Sequence, residues 1–228
     1  MHLIAHKPRH TLYIYAAMNN ETPHPDMAKQ CDNLTSCIEK WPRLNGGIHY
    51  QYLVDYHSYT GFGTYSLTNE EWDNREMINN FKNNSELTDP ISHQIALDKA
   101  ISLVLPLLRD TFGKALEQLT LVCIPASTAE QTAARFKEFA QRVTESTGMT
   151  NGYNHITIVA DKDGIGDSHL PEYAIDSEFF AGRKVLLFDD IMVTGGSVNK
   201  FATRLSELGI DIVAAVVLGK TVANVERD

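Results

Sequence analysis

The stretch VLLFDDIMVTGGS, which runs from Val185 to Ser197, decides the fold of this chain. Its first four residues, Val185–Phe188, are apolar and predict a short buried strand. Two carboxylates, Asp189 and Asp190, come at the carboxyl end of that strand, and a loop of Thr, Gly and Ser leads into a helical pattern. Strand, turn and helix in this order are typical of one unit of a parallel sheet.

The sequence on both sides of this unit alternates in the same way. From Ser92 onwards, apolar residues at helical spacing are separated by short apolar runs. The predicted strands are Leu119–Ile124, Ile156–Ala160, Val185–Phe188 and Ile212–Leu218. This order predicts an α/β fold with a mostly parallel sheet and helices on both faces. Ligands of such sheets bind beyond the carboxyl ends of the strands, which directs attention to the residues after Ile124, Ala160 and Phe188.

The loop after the acidic pair has the composition of a phosphate site. Gly195 and Gly196 allow a tight turn and let backbone N–H groups approach an anion without a Cβ in the way. The helix that follows adds its N-terminal dipole and its free N–H groups. Thr194 and Ser197 add hydroxyl donors, so the loop suits a phosphate monoester.

The two acids in front of this loop need a partner between themselves and a phosphate. Carboxylates would repel the phosphate unless they bind hydroxyl groups or a cation such as Mg²⁺. Asp189 and Asp190 therefore predict a ligand in which a phosphate is joined to a ribose.

The whole stretch resembles the signature with which type I phosphoribosyltransferases bind 5-phosphoribosyl 1-pyrophosphate (PRPP). The apolar strand, the acidic pair and the hydroxyl–Gly–x–hydroxyl loop are all present, and the resemblance covers roughly residues 92–222. It implies that the loop from Thr194 to Ser197 holds the 5-phosphate. It also implies that Asp189 and Asp190 are the catalytic acids, which hold the 2- and 3-hydroxyls and contact Mg²⁺ indirectly.

A second loop of the family grips the pyrophosphate, and its counterpart here follows the strand that ends at Ile124. The resemblance implies that Ala126 and Ser127 bind the pyrophosphate and that Arg135, in the helix that follows, reaches the leaving group. The same residues also fit a simple helix N-cap at Ser127 or Thr128, with Arg135 as a solvated charge.

The long polar segment 161–182 corresponds to the family's mobile loop, which closes over the reacting groups and excludes water. Lys162 and His169 are its candidate functional residues.

The sequence defines the acceptor of the phosphoribosyl group less well. Val193 stands where the branch that acts on 6-oxopurines has a third acid, which argues against that substrate class. The chain has no early cysteine of the kind that glutamine-dependent members use. The motif and the tail Leu218–Thr221 most resemble the competence-associated (ComF-like) branch.

Composition limits the class of protein. The chain has 228 residues, with 20 basic and 29 acidic ones and a formal charge of −9. An acidic balance argues against nucleic acid as a partner. No run approaches the roughly 18 apolar residues of a membrane helix, and three unevenly spaced cysteines fit neither a zinc site nor a disulfide framework, so we predict a cytoplasmic protein without a membrane partner.

Two domains and two functions are predicted. Residues 91–228 would form the PRPP-binding core, and residues 1–90 an α+β extension that acts as a hood over the site or as a partner surface. The first function is transfer of the phosphoribosyl group from PRPP to a nitrogen nucleophile with release of pyrophosphate. The alternative is a PRPP- or nucleotide-binding regulator without turnover. The resemblance also leaves a homodimer open, because members of the family are commonly dimers.

Overall fold

Strands and helices alternate along most of the chain. The computed structural model describes residues 33–58, 67–84, 87–160 and 171–222. The strands are β1 (Tyr50–His57), β2 (Leu119–Cys123), β3 (Thr150–Asn151), β4 (Ile156–Ala160), β5 (Glu172–Ile175), β6 (Lys184–Met192) and β7 (Asp211–Val222). The helices are α1 (Leu34–Ile38), α2 (Asn69–Phe81), α3 (Pro90–Phe112), α4 (Ala129–Thr147), α5 (Ser177–Phe180) and α6 (Gly196–Glu207).

Capping residues mark the ends of α2 and α4. Thr68 and Glu71 form a capping box at the start of α2, in which each side chain accepts a hydrogen bond from the other residue's N–H group. Gly148 ends α4 in the left-handed conformation, with φ of 74°. The Thr128 side chain caps the start of α4, which is one of the two N-cap positions that the sequence offered.

One five-stranded sheet forms the centre of the fold, with the strand order β1-β7-β6-β2-β3. All four neighbouring pairs are parallel. Helices α2, α3 and α4 contribute to the core on one face, and α5 and α6 contribute to the core on the other. The predicted α/β fold, with a mostly parallel sheet covered by helices on both faces, is confirmed.

The strand Ile156–Ala160 does not belong to this sheet, contrary to the prediction. As β4 it pairs antiparallel with β5 in a separate two-stranded sheet, and β3 takes the edge position beside β2. Its side chains alternate between buried and exposed, with Val159 57% exposed. This alternation is typical of a strand with one solvated face rather than of a buried parallel strand. The carboxyl end of β4 is therefore not a carboxyl end of the main sheet.

A cluster of phenylalanines fills the core next to the carboxyl end of β6. The rings of Phe139 and Phe188 are stacked with centroids 4.1 Å apart, and Phe81 meets Phe139 edge to face at 5.5 Å. Phe136 also contacts Phe188, with centroids 6.3 Å apart. Because Phe188 directly precedes Asp189, this cluster fixes the position of the strand end that carries the acids.

The N-terminal region contributes to the same sheet. β1 lies before the predicted boundary at residue 90, yet it pairs with β7 from Tyr50 to His57. The boundary and the role of residues 1–90 as a hood or partner surface stay predictions. Residues 11–17, whose composition predicts a further strand, fall outside the described residues.

Helix α3, extended by a 3₁₀ turn, is the one segment of the described chain that is long and apolar enough to cross a membrane by length and composition, at residues 90–118. The sequence did not predict a segment of this kind. Core helices satisfy the same criterion. Leu97, Ala100 and Val104 of α3 are buried in the core that α3 forms with α2 and α4.

The cysteines differ in state. Cys123 is a buried free thiol, in agreement with its place in an apolar strand, and burial raises its pKa. Cys37 is disulfide-bonded, which the number and spacing of the cysteines did not predict. The cytoplasmic location stays a prediction.

Candidate functional site

The acidic pair lies near the carboxyl end of the central strand β6, which continues past the predicted end at Phe188 to Met192. Asp189 is aligned with Val217 of β7, and Phe188, just before it, is aligned with Cys123 of β2. Asp190 is 4% exposed, whereas Asp189 is partly buried. The N–H group of Asp190 donates a hydrogen bond to Oδ1 of Asp189 at 2.9 Å. The two side chains therefore differ in surroundings although they are adjacent in sequence.

Arg135 from α4 reaches the acidic pair. Its Nη1 donates to Oδ2 of Asp190 at 3.0 Å, and its Nε donates to the carbonyl oxygen of Lys82 at 2.8 Å. The ion pair is largely removed from water, with side-chain exposures of 19% for Arg135 and 6% for Asp190. In this structure Arg135, which the resemblance assigns to the pyrophosphate, holds the second acid and the end of α2.

The carboxyl group of Asp189 is difficult to ionise. Burial raises its pKa well above the usual value, and the neighbouring charge of Asp190 adds to the effect. The N–H group of Asp190 and the positive charges of Lys82 and Arg135 oppose the shift. A hydroxyl group, which is both donor and acceptor, could bind this carboxyl group in either protonation state.

This shift predicts the effect of pH on stability. Because the folded state raises the pKa of Asp189, ionisation costs stability as the pH rises through the unfolded value of about 3.9 towards the folded value. Asp189→Asn removes that cost and keeps an oxygen for the N–H group of Asp190. We therefore expect the variant to melt at a higher temperature than the wild type at pH 7, with a difference that shrinks towards pH 4. A variant that melts lower at pH 7 would contradict the prediction.

The loop after β6 presents its hydroxyl groups and the first turn of α6 to solvent. Gly195 is the N-cap of α6 in the left-handed conformation, with φ of 81°, and no side chain caps this helix end. Thr194 and Ser197 are exposed, and Gly195 is buried beneath Leu44. The first-turn N–H groups of a helix of 12 residues are thus left without a side-chain acceptor, as an anion site requires.

The two glycines of this loop differ in whether a larger side chain would fit in their place. A Cβ at Gly195 would lie 2.7 Å from Leu44 Cδ2, and alanine in the left-handed conformation costs roughly 1–2 kcal/mol by itself. A Cβ at Gly196 would meet only Oγ1 of Thr194, at 3.5 Å. We expect Gly195→Ala to lower the free energy of unfolding by more than about 1 kcal/mol, and Gly196→Ala to leave it within about 0.5 kcal/mol. Urea denaturation of both variants tests this, and equal losses would contradict it.

The second loop is bonded internally. The N–H group of Ala126 donates to Oγ1 of Thr132 at 2.9 Å, and that hydroxyl donates to the carbonyl oxygen of Thr128 at 2.8 Å. Ser127 is exposed. The loop does lie at the carboxyl end of β2, beside β6, but the N–H group of Ala126 already has an acceptor.

The structure does not describe every residue that the sequence predicted for the site, and it adds residues that the sequence did not predict. Lys162 and His169 lie outside the described residues. Val193 is 65% exposed beside the loop. Lys82, whose charge acts on Asp189, was not predicted, because a lysine after a surface helix carries no signal in the sequence. Lys220, aligned with Met192 of β6, donates to the hydroxyl of Tyr50 at 3.2 Å and was also not predicted.

The residues of the site fit Mg²⁺ only together with a ligand. Among the residues that the structure describes, no group of three or more His, Cys, Asp or Glu side chains could hold a metal ion. Asp190 is already paired with Arg135, which leaves Asp189 as the nearby carboxylate. Mg²⁺ prefers six oxygen ligands and often takes them from substrate phosphates and water. The arrangement therefore suits an ion that arrives with a phosphorylated ligand.

In comparisons with known proteins, the chain matches solved structures alone. No family model matches the chain, and no curated protein matches it. Among solved structures, the crystal structure of orotate phosphoribosyltransferase from Aeropyrum pernix is similar, with 19% sequence identity and a TM-score of 0.31. The likeness covers 58% of this chain, which spans 61% of the length of that one. A likeness of this size decides neither activity nor substrate.

Proposed function

We propose that this protein binds PRPP and transfers its phosphoribosyl group to a nitrogen nucleophile with release of pyrophosphate. One observation carries the proposal. The partly buried carboxyl group of Asp189, near the end of β6, is followed six residues later by Gly195, whose left-handed turn opens the uncapped helix α6. A sugar hydroxyl and a phosphate of one ligand can bind these two features at once.

Different residues would bind different parts of the ligand. The loop from Thr194 to Ser197 would bind the 5-phosphate through hydroxyl and N–H donors. Asp189 would accept a ribose hydroxyl and orient the sugar, and Arg135 would keep the Asp190 carboxylate in place. Asp189 and phosphate oxygens of the ligand would together hold Mg²⁺, which when bound neutralises charge on the pyrophosphate. The contribution of the protein to the reaction is then positioning and electrostatic stabilisation.

A second candidate function is a PRPP- or nucleotide-binding regulator without turnover. It is favoured by the internal bonds of the pyrophosphate region, since Ala126 donates to Thr132 and Arg135 pairs with Asp190. A transferase needs donors in this region for the pyrophosphate, whereas a protein that binds only a nucleoside monophosphate does not.

Calorimetric titration of PRPP with Mg²⁺ tests the proposal. We expect Asp189→Asn to weaken binding at least about tenfold, because a charge-assisted hydrogen bond contributes about 1.5–3 kcal/mol. The matched control is Asp211→Asn, an exposed carboxylate at the opposite end of the sheet, which should bind PRPP as the wild type does. A screen of bases for pyrophosphate release then separates the two candidate functions.

Each outcome has a clear meaning. Binding with base-dependent release of pyrophosphate supports the transferase and identifies the acceptor. Binding without release supports the regulator. Failure of the wild type to bind either PRPP or a nucleoside 5-monophosphate would overturn both.

A further inference from the structure

A cavity of about 580 Å³ lies beside α2 and shares only Arg135 with the residues of the predicted PRPP site. Its wall includes Trp72 and Asn80 of α2, Lys82 just after that helix, and Arg135 of α4. The volume falls within the range of roughly 300–1,000 Å³ in which small-molecule sites are found. Apart from Arg135, none of its lining residues has a role in the predicted reaction.

The charge of the cavity is opposite to that of the protein. Three cationic side chains, those of Arg75, Lys82 and Arg135, and one anionic side chain, that of Glu76, line it. The whole chain has a formal charge of −9. Arg75 donates to the carbonyl oxygen of His57 at 2.7 Å, and Arg135 is paired with Asp190. The donors best placed to meet a ligand are therefore Lys82 and the second terminal nitrogen of Arg135, Nη2. A cationic cavity in an acidic protein attracts small anions.

The wall also offers a flat apolar surface. Trp72 is 47% exposed although it lies on the cavity wall, and an indole face stacks on planar ligands. The side-chain amide of Asn80 adds both a donor and an acceptor. We propose that this cavity binds a small anion that carries a flat ring, with Lys82 and Arg135 facing the charge and Trp72 facing the ring.

Arg135 connects this cavity with the acidic pair. The guanidinium lines the cavity while its Nη1 contacts Asp190 and its Nε contacts the carbonyl oxygen of Lys82. Its Nη2 group remains for an anion, since a guanidinium carries five N–H donors in a fixed plane. An anion bound here would share Arg135 with Asp190. The proposal for the cavity does not require PRPP to be the ligand of the loop before α6.

The chain has only two tryptophans, which makes the test direct. Trp41 packs edge to face on Phe112, with centroids 5.9 Å apart, so Trp41→Phe should leave Trp72 as the single fluorophore of a folded protein. We would titrate this variant with benzoate and with adenosine 5-monophosphate. Benzamide and adenosine are the matched uncharged probes. We expect saturable quenching of Trp72 by at least one anion, and binding at least about tenfold weaker for its uncharged match.

Variants locate the bound anion. Lys82→Gln should weaken binding about tenfold, whereas Lys137→Gln, an exposed lysine of α4 that does not line the cavity, should not. Ser197→Ala, in the loop before α6, should also leave the Trp72 response unchanged. Calorimetry of benzoate on the wild-type protein should give the same affinity as the fluorescence.

Two results would overturn the inference. One is the absence of saturable quenching by both anions. The other is binding that is lost in Ser197→Ala and kept in Lys82→Gln, because the anion would then occupy the loop before α6. In the second case the proposal for the PRPP site would be kept and the proposal for the cavity would be rejected.

Discussion

Replacing Arg135 by methionine is expected to lower the free energy of unfolding by roughly 3 kcal/mol, a value typical of breaking a buried ion pair. Methionine keeps most of the length of the side chain but leaves the carboxylate of Asp190, which is 4% exposed, without its cation. The carbonyl oxygen of Lys82 also loses its donor. Urea denaturation at neutral pH measures the loss.

The same helix provides the control. Arg142 of α4 pairs with Asp98 at 2.7 Å and with Glu138 at 3.2 Å, and all three side chains are at least 36% exposed. Exposed pairs of this kind contribute about 0–1 kcal/mol, so Arg142→Met should cost less than about 1 kcal/mol. If both variants lost the same stability, the burial of the Arg135–Asp190 pair would not have the energetic effect that we assign to it.

Replacing Phe139 by alanine is expected to lower the free energy of unfolding by about 3–5 kcal/mol, the range for a buried Phe→Ala change. Phe139 is fully buried and stacks on Phe188, with centroids 4.1 Å apart. Its removal leaves a cavity directly behind the strand end that carries Asp189. We therefore also expect weaker PRPP binding in the variant, measured by calorimetry under conditions in which it is folded.

Phe179 is the matched control for this substitution. It is partly exposed and stacks on His155, with centroids 3.4 Å apart, on the other side of the sheet. Phe179→Ala should cost less than half as much stability as Phe139→Ala and should leave PRPP binding unchanged, since less area is buried there. A larger loss for Phe179→Ala would mean that the phenylalanine cluster is not the main support of β6.

The central unit of the fold could be predicted because its signals are local. Four apolar residues from Val185 predict a buried strand, and β6 includes them. Gly195 and Gly196 predict a tight turn, and Gly195 adopts the left-handed conformation that opens α6. Each of these features depends mainly on residues that are close together in the sequence. The sequence was less informative for Ile156–Ala160, because an apolar run of five residues has the same composition in a parallel sheet and in a two-stranded ribbon.

The sequence by itself determined the alternation of strands and helices, the acidic pair at a strand end, and the loop that could hold a phosphate. Only the tertiary structure decided which charges meet. Arg135 and Asp190 are 55 residues apart, and nothing in their local sequence shows that α4 brings one to the other. Lys82 and the cavity beside it arise in the same way, because the end of α2 meets Arg135 of α4. Local spacing fixes backbone conformation, whereas contacts between distant side chains depend on how whole helices pack on the sheet, and the chemistry of this site depends on those contacts.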